Sequence, residues 1–111
     1  MNWALISKQF EPTDSPGLHH DQRSADGTAN LVEVLRWYDD HSKLRGLLVY
    51  SPHGVLGALQ PGQFFFIVHP RHRRQGIGTK LLGEARLRFP PLDFAEQEYS
   101  EAGLECLKSS L

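Results

Sequence analysis

The segment Phe64–Leu82, FFFIVHPRHRRQGIGTKLL, most constrains what this chain can fold into. Phe64 to Val68 are apolar without alternation, so they read as a strand covered on both faces and central in its sheet. Pro70 stops that strand, since proline has no N–H to give the ladder. A basic turn holding two glycines follows. Ile77, Leu81, Leu82, Ala85 and Phe89 then recur at helical spacing, which predicts a helix over Gly76–Phe89, ended by Pro90-Pro91. Strand, tight turn and helix in this order make an anion cradle. The helix amino terminus leaves backbone N–H groups unpaired and adds the positive end of its dipole. Gly76 and Gly78 let an anionic ligand approach the backbone, and Arg73 and Arg74 add charge beside it. Phosphate or pyrophosphate is the natural occupant.

The remaining chain supplies a small domain around this unit. Residues 1–27 carry little pattern beyond Trp3 to Phe10, which suggests an edge strand. Pro12, Pro16, Gly17, His19-His20 and Asp26-Gly27 read as a loop-rich or partly disordered segment. Residues 28–111 read as the compact domain. Leu31, Val34, Leu35 and Tyr38 at 3–4 spacing predict a helix from about Thr28 to Lys43. Leu47 to Tyr50 reads as a strand, and Val55 to Gln60 as a weaker one weakened by Gly57. Leu92-Asp93-Phe94 suggests a short strand, and Ser100 caps a last helix carrying Leu104, Leu107 and Leu111. The fold class is α/β (α+β), a mainly antiparallel central sheet flanked by helices.

Composition narrows the function classes. The 111 residues are 40% hydrophobic and 23% charged, a globular balance for one domain. The formal net charge of −1 excludes a whole-chain attraction to nucleic acid or anionic membrane. Charge is nonetheless segregated. Arg71, Arg73, Arg74, Lys80, Arg86 and Arg88 face only Glu84 between His69 and Phe89, whereas Asp93, Glu96, Glu98, Glu101 and Glu105 face only Lys108 beyond Leu92. These runs either meet as solvated neighbours or mark a local anion site. The lone Cys106 excludes a disulfide framework and a Cys-rich zinc site, and the six histidines lack metal-ligand spacing. No apolar run approaches the ~20 residues of a membrane span, so a cytoplasmic domain with no metal is expected.

The glycines fit neither common phosphate-binding fingerprint. A P-loop requires Gly-Lys-Ser/Thr, but Gly78 precedes Thr79-Lys80. The dinucleotide pattern requires a third glycine where Leu81 stands. The stretch Arg73-Arg74-Gln75-Gly76-Ile77-Gly78 does closely resemble the acetyl-CoA motif Gln/Arg-x-x-Gly-x-Gly/Ala of the GNAT superfamily of N-acetyltransferases. As in that family, a hydrophobic strand ending Val68-His69-Pro70 precedes it and Leu81-Leu82 follows. The resemblance extends over about residues 28–111, and DFAEQEYSEAG resembles segments of small phage-encoded members.

The resemblance implies a minimal GNAT-like fold lacking the usual carboxy-terminal hairpin, and roles at matching positions. Backbone groups of Phe66, Ile67 and Val68 would face the acetyl and pantetheine part, where the family strand commonly carries a bulge. Backbone N–H groups of Arg74, Gln75, Gly76, Ile77, Gly78 and Thr79 would hold the pyrophosphate, with Arg73 bracing the turn. The reaction would be direct acetyl transfer to a primary amine, on a small molecule or a protein. Many members place a Tyr seven residues after an Asn in the last helix, to protonate the thiolate. With Ser100 in the Asn position, Leu107 takes the Tyr position and cannot serve. Tyr99 is the nearby phenol and the candidate acid. Glu98, with Glu96 beside it, is the candidate base, since a free amine is mostly protonated at neutral pH. Trp37 and Tyr38 read as helix packing.

Two other readings compete. One is a non-catalytic acyl-CoA-binding or interaction module that keeps the cradle without the acid. The other is nucleic-acid binding through the Arg71–Arg88 face, disfavoured because aromatic and basic residues do not interleave there. Open sheet edges leave homodimerisation as a further partner expectation.

Overall fold

The computed structural model describes residues 3–8, 15–24, 30–54, 60–72 and 75–92. A short helix α1 (Trp3–Ser7) precedes strands β1 (Gly17–Ser24), β2 (Leu31–Tyr38), β3 (Leu44–Ser51) and β4 (Gln63–Val68); a 3-10 turn (Pro70–His72) then leads into helix α2 (Ile77–Arg88). The four strands form one antiparallel sheet in the order β1-β2-β3-β4. Neighbours in sequence are neighbours in the sheet, as short connections favour.

Strand alternation sorts the side chains into two cores. On one face Leu35, Leu48, Tyr50, Phe64 and Val68 meet Ile77, Leu81, Leu82 and Ala85 of α2, with Phe89 and Leu92 closing the far end. On the other, Val32, Val34, Leu47, Val49 and Ile67 pack with Trp3 and Phe65. Leu81 and Leu82 are fully buried, and each such leucine contributes about 2 kcal/mol to holding α2 on the sheet. Gly46 sets how close the helix comes: a Cβ there would stand 2.5 Å from Ile77 Cγ2 and 3.1 Å from Leu81 Cδ1. No helix among the described residues is long and apolar enough to cross a membrane.

Several local expectations are corrected. The helix expected over 28–43 is strand β2 followed by a turn. Leu31, Val34, Leu35 and Tyr38 satisfy a helical period, but the same run also alternates, with Val32 and Val34 on one face and Leu35 and Trp37 on the other. β-branched and aromatic residues favour the extended form once partners exist on both sides. Asp39 then builds the turn, its Oδ1 accepting from the backbone N–H groups of His41 (2.8 Å) and Lys43 (3.0 Å) while Ser42 takes a φ of 60°. The loop expected across 1–27 contains β1, paired to β2 along its length from Gly17↔Tyr38 to Ser24↔Leu31. Its segment GLHHDQRS is polar on both faces, so no binary pattern marks it. The edge strand expected from Trp3 is helix α1 over Trp3–Ser7.

The strands expected near Leu47 and Phe64, and the helix after Gly76, are present as β3, β4 and α2. β4 is not central among the described residues: it ends the sheet order beside β3. Its unbroken apolar run reflects cover on both faces, by α2 and by Trp3. The expected elements at Val55–Gln60, Leu92–Phe94 and after Ser100 lie outside the described residues in whole or large part, as does any carboxy-terminal hairpin.

Candidate functional site

The site grows from the end of β4. The His69 N–H donates to the Arg45 carbonyl (2.8 Å), which sets the alternation of the ladder. Backbone groups of Phe65 and Ile67 therefore turn towards β3, and those of Phe66 and Val68 turn away from it. The β3–β4 register runs without a shift from Gly46↔Val68 to Ser51↔Gln63. The bulge that the resemblance suggested on this strand is thus absent, and the irregularity in the sheet lies between Trp37 and Tyr38 on β2.

After β4 the chain tightens, with the His72 N–H bonded to the His69 carbonyl (2.8 Å) across Pro70–His72. His69 anchors this turn. Its Nδ1 accepts the Arg71 backbone N–H at 3.1 Å and lies 3.1 Å from His72 Nδ1. A backbone N–H can only donate, so His69 Nδ1 is the acceptor and the proton between the rings belongs to His72. Trp3 meets the His69 ring edge-on at 5.7 Å. Burial, then Arg45, His72 and Arg71, push the His69 pKa below its usual 6.5, so the ring is neutral at pH 7.

Gly76 opens α2 with φ 81° and ψ 3°, a left-handed conformation that glycine adopts without penalty, and it has no side chain with which to cap the helix. The Lys80 N–H makes the first helical bond, to the Gly76 carbonyl at 3.0 Å. The helix's own backbone therefore offers no acceptor to the N–H groups of Ile77, Gly78 and Thr79. Among the described residues, leaving out Gly76's own chain neighbours, no atom lies within 4 Å of where a Gly76 Cβ would stand. These donors and the positive end of the helix dipole suit an anion such as a pyrophosphate.

Of the residues read from the sequence, Phe66, Ile67, Val68, Gln75, Gly76, Ile77, Gly78 and Thr79 occur together where β4 hands over to α2. Gln75 and Gly76 are exposed, Thr79 is half-buried, and Ile77 and Gly78 are buried. Arg73, Arg74, Glu96, Glu98, Tyr99 and Cys106 lie outside the described residues. Sequence reading missed three features: Gly46, the His69–His72 pair, and Lys80, whose ammonium stands 4.4 Å above the Trp37 ring. Trp37 packs against the α2 core cluster from strand β2, not from a helix. The Val-His-Pro sequence did mark where the strand ends, one residue before His69, but nothing local showed that the His69 ring folds back on the turn.

No curated protein and no solved structure matches the chain. The sequence profile of the Acetyltransferase (GNAT) family matches residues 2–104. That span takes in the whole described sheet, the glycine turn and α2. The chain belongs to the GNAT acetyltransferase family.

Proposed function

We propose that the protein transfers the acetyl group of acetyl-CoA to a primary amine. The observation that carries this reading is the amino terminus of α2, opened by the left-handed Gly76 a few residues beyond β4 and the Pro70–His72 turn. It suits a pyrophosphate, and an acyl-CoA, the donor this family generally uses, would bring one. The N–H groups of Ile77, Gly78 and Thr79 bind the anion. Phe66 and Val68 offer backbone groups on the side of β4 away from β3, where the donor's arm lies extended and a backbone N–H polarises the thioester carbonyl.

The amine nitrogen attacks the carbonyl carbon, the C–N bond forms and the C–S bond breaks. CoA leaves as a thiolate that takes a proton. Tyr99 is the proposed acid for that step, and Glu98 the proposed base that frees the amine. Holding amine and thioester together supplies much of the acceleration. The acceptor is an amine on a small molecule or a protein. A non-catalytic acyl-CoA-binding module shares the same cradle and differs in having no turnover.

Calorimetric titration with acetyl-CoA, CoA and ATP tests the cradle. Saturable binding of acetyl-CoA and CoA is expected, retained in Gly76→Asn and lost in Gly76→Asp. The two variants share size and turn preference but differ in charge, so the contrast isolates repulsion of the anion. No binding to the folded wild-type protein would overturn the reading. Tyr99→Phe and Glu98→Gln should lower turnover with donor affinity kept. An amine screen with no turnover at saturating acetyl-CoA would favour the binding module.

A further inference from the structure

We propose that two copies of the chain pair through β1, edge to edge and antiparallel, so that the two sheets run on as one. The ladder fixes which groups of β1 are on offer. The His69 bond to the Arg45 carbonyl means that Arg45, Leu47 and Val49 turn their backbone groups to β4, and Gly46, Leu48 and Tyr50 theirs to β2. The residues opposite these, Trp37, Leu35 and Glu33, face back to β3, so Val32, Val34 and Arg36 face β1. Across from them His19, Asp21 and Arg23 face β2. The backbone groups of Leu18, His20 and Gln22 therefore turn outward, and β1 ends the sheet among the described residues.

An edge in this state invites another strand, and edges are usually blunted by proline, lysine or a bulge. β1 carries none of these: its eight residues include no proline or lysine, and it pairs with β2 without a register shift. The opposite edge, β4, is proposed above for the donor's arm.

Pairing of β1 with itself has one register that fits. Strands join a continuous sheet only with residues of the same face opposite one another. The two longest registers that obey this centre on His20 and on Asp21. Centring on Asp21 sets two carboxylates directly opposite at the closer spacing of about 4.5 Å, where like charges repel. Centring on His20 sets Asp21 opposite the partner's His19 instead. Leu18 then faces the partner's Gln22, Gln22 the partner's Leu18, and His20 the partner's His20. Each of these pairs exchanges two backbone hydrogen bonds. The stem of Gln22 also covers Leu18, which is half-buried at the mouth of a groove running along α2.

His20 brings no like charge to the two-fold axis. The Arg88 guanidinium can only donate, so His20 Nδ1 accepts from it at 3.1 Å, and Nε2 donates to Glu33 at 2.6 Å. Arg88 has its own counter-charge in Glu84 at 2.9 Å. A ladder of this length is a small interface, and it gives association at micromolar concentration.

Analytical ultracentrifugation of the full chain from about 1 to 300 μM tests the pairing. The wild type should pass from one chain mass towards two, and a monomer throughout overturns the proposal. Gln22→Pro removes an outward N–H and Gln22→Ala keeps it, while both lose the same side-chain bond to Glu33. Gln22→Ala should dimerise like the wild type, and Gln22→Pro about tenfold more weakly or worse. Equal dimerisation of the two, with circular dichroism showing both folded, places the interface elsewhere and overturns the use of β1. Register is read separately by His20→Cys in a Cys106→Ser chain, because facing Cα atoms about 5.5 Å apart lie within disulfide reach. Mild oxidation should link this variant into a dimer and leave Gln22→Cys in the same background unlinked. No link through His20→Cys overturns the pairing, whether or not Gln22→Pro folds. A link through Gln22→Cys does the same, since it needs another register.

Discussion

Gly46 on β3 lies directly beneath Ile77, the first residue of α2, and a Cβ at Gly46 would stand 2.5 Å from Ile77 Cγ2. The missing side chain thus lets the cradle end of the helix seat on the sheet. Gly46→Ala forces α2 outward, and overpacking of this kind costs about 1–3 kcal/mol. Urea denaturation should show that loss, and acetyl-CoA affinity should fall with it if the N–H of Ile77 binds the anion as proposed. Ile77→Ala removes the atom in the way, so the double variant should be more stable than the sum of the single effects predicts. Strict additivity would mean that Gly46 acts through backbone freedom and not through contact.

Gly76 requires glycine for a different reason. Its φ of 81° is the constraint, since among the described residues, chain neighbours aside, no atom lies within 4 Å of the position a Cβ would take. Gly76→Ala should destabilise the protein by about 1–2 kcal/mol, and Gly76→Asn by less, because asparagine tolerates the left-handed region. Thermal unfolding of the two variants checks the order. Equal losses would point to steric crowding at the turn.

The unit from β4 to α2 is legible in the sequence because its signals are local: five apolar residues, a proline, two glycines and a helical period. β2 is not, because Leu31, Val34, Leu35 and Tyr38 fit a helix and a strand equally well over eight residues. The choice is made by tertiary partners, with Val34 facing Val49 and Leu35 facing Leu48 across the sheet. β1 escapes notice because its strand character comes from pairing alone. His20 and Gln22 reach Glu33 on β2 at 2.6 Å each, a contact between residues more than ten positions apart. The glycine turn was readable in the same way as β4, whereas the approach of Trp37 to Lys80 depends on where β2 lies and could not be read before it.

His69 predicts a pH dependence. Its pKa is lowered in the folded state, chiefly by burial, so between that value and 6.5 the unfolded chain binds more protons. Its contribution to stability is therefore complete above pH 6.5 and is lost as the pH falls towards the folded value. Protonation also puts a hydrogen on Nδ1, where the Arg71 N–H now donates. His69→Gln keeps an acceptor for that N–H and does not titrate. Unfolding free energy measured from pH 7.5 to 5.5 should fall less steeply in this variant than in the wild type. Parallel curves would assign the acid sensitivity to other groups.

Asp39 works on the opposite limb. The Arg45 guanidinium, donating to Oδ2 at 2.8 Å, and the backbone N–H groups of Lys43 and His41 hold its pKa down to about 2 against the effect of burial. The folded state thus binds fewer protons than the unfolded chain between about 2 and the ordinary value of 3.8. The stabilisation is present above 3.8 and disappears as the pH drops through 2. Asp39→Asn keeps one acceptor oxygen but gives up the charge-assisted bond to Arg45, and should cost about 1–2 kcal/mol at neutral pH. The loss should shrink on acidification towards pH 2, where the wild-type carboxylate is itself protonated. Urea denaturation of the two proteins at pH 7 and near pH 3 checks both the size of the loss and its shrinking. A loss of the same size at both pH values would mean that the charge on Asp39, and so its bond to Arg45, is not what stabilises the turn.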